Sequence, residues 1–283
     1  MTYFSTLKNQ FLHQLRNLYD EREILSVFHL YLTEKWNISK TDIYINEDKI
    51  NSLNRNEVES DLTRLKEGEP VQYVVGKSSF YGLSLWVNPS VLIPRPETEE
   101  LVHLIISENR DTENLTVLDI GTGSGAIAIA LAKNLPHAQV SAIDISEEAL
   151  RTASQNACRN DVSIHFFPFD ILHDPVEKLD RKWDIIVSNP PYIPEKEKFV
   201  LHKNVVNFEP HQALFVPDDN PLLFYQKILE IGKTVLASEG RIYFETYEKF
   251  HPETEALAMK MGFSSIRRIK DIHGKSRIVA CCF

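Results

Sequence analysis

An asparagine, two prolines and a tyrosine stand together at Asn189-Pro190-Pro191-Tyr192, directly after the apolar run 183–188. Proline cannot donate to a sheet ladder, so pairing of that run is expected to end here. Pro190 keeps its carbonyl as an acceptor, and Asn189 adds a second through its amide oxygen. Two fixed acceptors can hold a planar NH2 group by both of its N–H bonds. Tyr192 offers a ring face on which a planar amide or base could stack. The targets that fit are conjugated amino groups: adenine N6, cytosine N4, guanine N2 or a carboxamide. Their nitrogen lone pairs are delocalised and poorly nucleophilic. Holding both N–H bonds lets charge develop on nitrogen during attack on an electrophile. In-line placement supplies about 7–11 kcal/mol in favourable cases. No strong general base is required, because the proton becomes acidic only as the N–C bond forms. An ordinary strand-ending turn is the plain alternative for the tetrapeptide taken alone.

A second constellation supplies a partner for that chemistry. Thr116-Val117-Leu118-Asp119-Ile120 reads as a short buried strand, Gly121-Thr122-Gly123-Ser124-Gly125 as a turn, and Ala126-Ile127-Ala128-Ile129 as the opening of a helix. Strand, glycine turn and helix let backbone approach a ligand without interference from Cβ atoms. The next strand ends in Asp144, about 20 residues beyond the turn, where a carboxylate can accept from both hydroxyls of a ribose. Turn and acid together indicate an adenosine-bearing ligand. The third glycine comes one residue too early for the dinucleotide pattern. Asp119, beside the turn, would repel a pyrophosphate and suit a cationic amine. S-adenosylmethionine carries an ammonium and a ribose and has no phosphate, so the charge pattern favours it over a dinucleotide. Asp170, after the third strand, is placed to accept from an adenine amino group, or to be a plain solvated turn residue. Ile171 is placed to pack on the purine.

These residues need a scaffold, and the chain supplies a regular one. From residue 98 strands are expected at 116–120, 139–144, 163–168, 183–188, 240–246 and 276–283, with helices at 98–109, 125–134, 146–160, 221–237 and 251–261. That alternation implies an α/β fold with a mostly parallel sheet covered by helices on both faces. Segments 263–270 and 276–283, joined by Asp271-Ile272-His273-Gly274-Lys275, read as an antiparallel hairpin at the sheet edge. In open α/β sheets ligands sit at the carboxyl ends of the strands. Strand 183–188 is expected beside strand 116–120, which brings Asn189 and Pro190 to the glycine turn. Ahead of this part, Phe4, Leu7, Phe11, Leu15 and Leu18, then Ile24, Val27, Phe28, Tyr31 and Leu32, then Val58, Leu62 and Leu65, recur at helical spacing. They predict a small helical bundle over residues 1–72. Residues 73–97, with the alternating aromatic run 80–87, read as a connector hairpin, and 98–283 as the chemistry-bearing domain.

Composition narrows the function classes. The 283 residues are 43% hydrophobic and 25% charged, as in a soluble globular protein. No apolar run spans a bilayer, and the polar-interrupted start is no signal peptide. Cys158, Cys281 and Cys282 show no metal spacing and no even disulfide framework, which suits a reducing cytoplasm, and no metal is expected. A net charge of -9 makes a poor generic nucleic-acid binder. A nucleic-acid amino methyltransferase remains an alternative. It would have to extrude its base and would want a basic, aromatic surface. A non-catalytic cofactor-binding protein is a third reading, one that leaves the amino-group clamp without a purpose.

The sequence resembles the release-factor glutamine N5-methyltransferase family (PrmC/HemK) of class I S-adenosylmethionine-dependent methyltransferases, with a Rossmann-like sheet. The resemblance runs through Glu69-Pro70-Val71-Gln72-Tyr73, Phe80-Tyr81-Gly82, Leu92-Ile93-Pro94-Arg95-Pro96-Glu97-Thr98-Glu99, the glycine turn, Ser188-Asn189-Pro190-Pro191-Tyr192-Ile193 and Phe208-Glu209-Pro210. The tetrapeptide is shared with DNA adenine methyltransferases; the Ile93–Glu99 element is far more specific. The resemblance implies a substrate, the glutamine of the GGQ loop of peptide-chain release factors, and a product cofactor, S-adenosylhomocysteine. It implies that Asn189 and Pro190 grip the carboxamide, with Pro191 and Tyr192 beside them. The glycine turn, Asp144, Ile171 and Asn189 would line the cofactor site. Arg95 and Glu97 would buttress the substrate channel or form an interdomain ion pair. The N-terminal helices would help recognise the protein substrate. Two departures stand out. Many members carry an aromatic residue where this chain has Ile171, and a Gly-rich segment where it has Val216-Pro217-Asp218-Asp219-Asn220-Pro221.

Overall fold

A computed structural model describes residues 3–39, 41, 42, 49 and 51–283, and they form two compact units. The first comprises residues up to Lys77 together with His202–Phe208. Its described helices include α1 (Tyr3–Leu15), α2 (Glu21–Trp36), α3 (Arg55–Lys66) and the short α4 (Val71–Val75). Asp20 caps α2 by accepting from Glu23 N, and Asn54 caps α3 by accepting from Glu57 N. The core is the predicted apolar stripe, with Leu7, Phe11, Phe28, Tyr31 and Leu62 buried together. Asp61, also buried, accepts from Tyr31 Oη at 2.9 Å and pairs with Lys35 at 2.8 Å. Arg64 donates to both oxygens of Glu69, which fixes the entry into α4.

The second unit spans Ser78–Leu201 and Glu209–Phe283. Strands β1 (Lys77–Phe80) and β2 (Leu83–Trp86) form a hairpin whose two turn residues, Tyr81 and Gly82, both have positive φ, as a tight two-residue turn requires. The main sheet contains β3 (Thr116–Ile120), β4 (Gln139–Asp144), β5 (His165–Pro168), β6 (Trp183–Ser188), β9 (Leu236–Glu245), β10 (Ser264–Lys270) and β11 (Ser276–Cys282). The order is β10-β11-β9-β6-β3-β4-β5. Strands β9, β6, β3, β4 and β5 are parallel. The β10–β11 hairpin closes one edge, with β11 antiparallel to β9. β5 starts two residues later than the sequence suggests and β9 four residues earlier.

Helix α5 (Pro96–Asn109) starts two residues earlier than the hydrophobic spacing indicates, because Pro96 presets the first helical φ. It packs on one sheet face with α6 (Ala126–Asn134) and α7 (Glu147–Arg159). The other face carries α9 (Leu223–Val235) and α10 (His251–Lys260). The label α8 belongs to Lys203–Phe208, in the first unit. Strand side chains alternate between the two cores: Val117, Ile185 and Val187 enter one, Leu118 and Ile186 the other. Cys281 is buried in the second core, and burial pushes its thiol up to about 12. No helix among the described residues is long and apolar enough to cross a membrane.

Candidate active site at the carboxyl ends of the parallel strands

Four strand ends converge on a cavity of about 430 Å³ within the second unit. The glycine turn follows β3, Asp144 ends β4, Asp170 and Ile171 follow β5, and Asn189 follows β6. Of the residues singled out from sequence, Gly121, Gly123, Asp144, Asp170, Ile171, Asn189, Pro190 and Pro191 line this cavity. Thr122, Ser124, Gly125 and Tyr192 lie outside its wall.

The odd and even positions of the turn divide the work. Thr122 and Ser124 are buried. Thr122 donates its hydroxyl to Asp119 Oδ2 at 2.7 Å, and the Ser124 carbonyl accepts from Asn156 Nδ2 at 2.9 Å. Both therefore brace the turn from behind. Gly125 is required for packing: an added Cβ would come within 2.9 Å of Ile129 Cδ1 and 3.1 Å of Ala153 Cβ, at a φ of +82°. At Gly121 and Gly123 an added Cβ meets no other atom within 4 Å, and both are wall residues.

Asp119 is fully buried beneath the turn and absent from the wall. Its Oδ2 accepts from Thr122 and from Ala128 N, while Oδ1 has no partner. Burial, with the nearby Asp144, pushes its carboxyl up to about 7. Its influence on a ligand's charge is therefore exerted through the turn, not by direct contact.

Asp144 accepts from Gly123 N through Oδ2 and from Ser146 N through Oδ1, both at 2.9 Å. Burial pushes its carboxyl up despite those bonds. The Ile145 N–H also acts on this carboxylate, which with about four lone-pair directions in all keeps acceptor capacity for a ligand hydroxyl. Asp170 accepts from Leu172 N and lies 2.8 Å from His173 Nδ1. Burial works against its ionised form, but these hydrogen bonds hold it below the usual carboxylate range. Ile171 packs against the second core.

Beyond the prolines the chain leaves the main sheet but does not stop pairing. Tyr192 N and Ile193 N both donate to Leu214 O, and β7 (Ile193–Pro194) pairs with β8 (Phe215–Val216). Tyr192 turns its ring into the second core and stacks on Tyr247, with centroids 5.6 Å apart and planes 18° apart. One face of its ring is thus engaged by another side chain. Residues 195–200 form a 3₁₀ turn, held by Tyr247 Oη and Lys249 donating to Glu197.

Asn189 is oriented by residues the sequence did not single out. Its Nδ2 donates to Thr98 Oγ1 at 3.2 Å, and Thr98 Oγ1 donates to Glu245 Oε2 at 2.6 Å. The amide nitrogen is thereby used, and the oxygen is the free acceptor end. Thr98 lies inside the quoted Ile93–Glu99 element without any local sign of this contact. Glu245 did carry a signal, since it is an acid at a strand's carboxyl end, as Asp144 is. Arg95 donates to Glu209 Oε1 at 2.6 Å, an ion pair within the second unit. Glu209 also accepts from Ile93 N. Among the described residues no cluster of three or more His, Cys, Asp or Glu side chains is placed to hold a metal ion.

Known proteins resemble both units. The family described as PrmC N-terminal domain matches residues 6–76, and the Methyltransferase small domain family matches residues 99–209. The release factor glutamine methyltransferase of Flavobacterium psychrophilum is 45% identical over 98% of this chain and 98% of its own length. That of Bacteroides thetaiotaomicron is 43% identical over 94% and 95%. A methyltransferase structure from Pyrococcus furiosus superposes with a TM-score of 0.52 at 18% identity, covering 80% of this chain and 96% of its own. The fold is that of the class I methyltransferases.

Proposed function

The chain belongs to the release factor glutamine methyltransferase family, and on that premise we propose that it transfers a methyl group from S-adenosylmethionine to the side-chain amide nitrogen of the glutamine in the GGQ motif of peptide-chain release factors. The observation that carries this reading is the orientation of Asn189, whose amide nitrogen is spent on Thr98 while its oxygen and Pro190 serve a cavity shared with Gly121, Gly123 and Asp144.

The residues present fit S-adenosylmethionine. Gly121 and Gly123 leave space that a Cβ would fill. Asp144 supplies acceptors suited to ribose hydroxyls, Asp170 an acceptor suited to an adenine amino group, and Ile143, Phe169 and Ile171 an apolar wall for the purine. When bound, the cofactor supplies an electron-poor methyl carbon on a sulfonium and leaves as S-adenosylhomocysteine. Thr122, Ser124 and Gly125 hold the turn in shape for it.

Asn189 Oδ1 and the Pro190 carbonyl accept the two N–H bonds of the glutamine carboxamide and aim its nitrogen. As a bond forms to that nitrogen, positive charge develops there, and the two acceptors gain strength where the ground state gained little. The nitrogen loses one proton, to solvent water, only after it has become acidic, so no strong base is assigned. Pro191 and Tyr192 stiffen the turn that carries the two acceptors. The helical unit, which runs to Lys77 and not to residue 72 and includes His202–Phe208, serves recognition of the protein substrate. The second unit, which takes in the hairpin expected as a connector, carries out the transfer. A release-factor substrate places the enzyme where translation terminates, in the cytoplasm.

The test is a labelled-methyl transfer assay offered an unmethylated release factor, the same factor with its loop glutamine replaced, and duplex DNA. Label is expected on the first alone. Label on DNA and not on the factor would falsify the reading in favour of a nucleic-acid amino methyltransferase.

A further inference from the structure

Asn189 can grip an NH2 group only with its oxygen facing the acceptor site, and a carboxamide is nearly symmetric in shape. Something must therefore choose between its two ends. Strands β6 and β9 are parallel neighbours with Ser188 opposite Phe244, so Asn189 and Glu245 emerge side by side at their carboxyl ends. Thr98, in the first turn of α5, lies between them, with only 4% of its surface exposed, and Glu245 is 2% exposed. Accepting the function assigned above, we propose that Thr98 and Glu245 are positioning residues that fix which end of the Asn189 amide meets the substrate carboxamide.

A threonine hydroxyl has a single hydrogen to donate and two lone pairs. Glu245, when ionised, is an acceptor only, so the Thr98 hydrogen points to it at 2.6 Å. Thr98 then offers Asn189 nothing but a lone pair. Asn189 must answer with its nitrogen, at 3.2 Å, and its oxygen is turned away from Thr98. Thr98 is absent from the cavity wall and Asn189 is part of it, so the oxygen is the end given to the site. Protonation of Glu245 reverses the logic. The acid then donates to Thr98, Thr98 is free to donate to Asn189, and the amide no longer has a unique orientation.

Glu245 sits where that switch matters near neutral pH. Burial pushes its carboxyl up to about 7, against the hydrogen bond from Thr98 and the charges of Arg277 and Arg95, with Glu97 adding to the rise. Tyr192 and Tyr225 also face it, and the Tyr225 hydroxyl donates to its backbone carbonyl. Both phenols are themselves pushed up by burial and stay neutral there. The acceptor geometry is accordingly complete above the Glu245 transition and lost below it.

The experiment measures kcat and KM for an unmethylated release factor between about pH 6 and about pH 9. It uses the wild type, Thr98→Val, Thr98→Ser and Glu245→Gln, with S-adenosylhomocysteine affinity by calorimetry and thermal melts alongside. Thr98→Val, which keeps shape and removes the hydroxyl, is expected to lower kcat about 10-fold or more, with KM and calorimetric affinity changed less than about two-fold. Thr98→Ser is expected to recover most of that loss. The wild-type kcat is expected to rise with pH through the neutral range, and Glu245→Gln to abolish that limb. Full kcat in Thr98→Val, or a neutral limb that survives in Glu245→Gln, overturns the positioning role while leaving the assigned function standing. Parallel losses of kcat, cofactor affinity and melting temperature in Thr98→Val, unrelieved in Thr98→Ser, mark a merely structural pair and also overturn it. A wild-type protein that leaves the release factor unlabelled overturns both the function and this inference.

Discussion

Asp144 Oδ2 accepts the backbone N–H of Gly123 at 2.9 Å, so the acid ending β4 is stitched to the middle of the turn that follows β3. One carboxylate thus shapes the turn and presents acceptors to the cavity. Asp144→Ala removes both functions. Hydrogen bonds to a charged group contribute about 1.5–3 kcal/mol each, so the dissociation constant for S-adenosylhomocysteine is expected to rise about 10-fold to 100-fold. Isothermal calorimetry checks this. Unchanged affinity would remove Asp144 from the proposed cofactor site.

Asn189→Ala makes the opposite separation. Its side chain is proposed to act on the reacting amide and contributes far less to cofactor binding. Loss of one preorganised partner to developing charge costs about 100-fold to 1000-fold in kcat in comparable cases. That loss is expected here with calorimetric cofactor affinity nearly intact. A mutant with wild-type single-turnover rates would show that the amide is gripped elsewhere.

The parts of this site that the sequence disclosed are those carried by local pattern. A buried strand, a glycine turn and a helix read directly into β3, Gly121 to Gly125 and α6. The acid at the end of the next strand read into Asp144. The prolines after β6 located Asn189. What stayed hidden depends on pairing across long separations. Thr98 and Glu245 meet over 147 residues, and neither helical nor strand periodicity records such a contact. The stacking of Tyr192 on Tyr247 leaves no local trace either, because Tyr247 lies far along the chain. The short helix α8 gave no sign that it packs with the first unit, where Asn204 Nδ2 donates to Tyr19 Oη. Adjacency alone does not separate Thr122 and Ser124 from the glycines beside them, because the buried side chains of the turn and its cavity-lining glycines alternate along the chain.

The Arg95–Glu209 pair joins the Ile93–Glu99 element to the segment before β8. The Glu209 side chain is 1% exposed and accepts from both Arg95 and Ile93 N. Arg95→Met leaves that carboxylate buried with no counter-charge, which costs about 3 kcal/mol. Urea unfolding is expected to show a midpoint lowered accordingly. The double variant with Glu209→Gln is expected to regain part of the loss, because the stranded charge is gone. Additive losses in the double variant would mean that the two side chains are not coupled.

Two fully buried carboxyls, Asp119 and Glu245, are each pushed up to about 7 in the folded chain, chiefly by burial. In the unfolded chain they titrate near about 4. Between those values the folded protein holds more protons than the unfolded one, so stability falls as pH rises. The contribution of each group is fully present below about pH 4 and is lost as pH rises through about 7. Asp119→Asn cannot ionise, and its oxygen can still accept from Thr122 and Ala128 N. It is expected to shrink the drop in melting temperature between about pH 5 and about pH 8 relative to wild type. The comparison of slopes matters more than either melting temperature, because the new amide's N–H groups would replace the buried, unpartnered Oδ1 and lower both values together. A slope identical to wild type would mean that Asp119 ionises in the folded chain as readily as in the unfolded one.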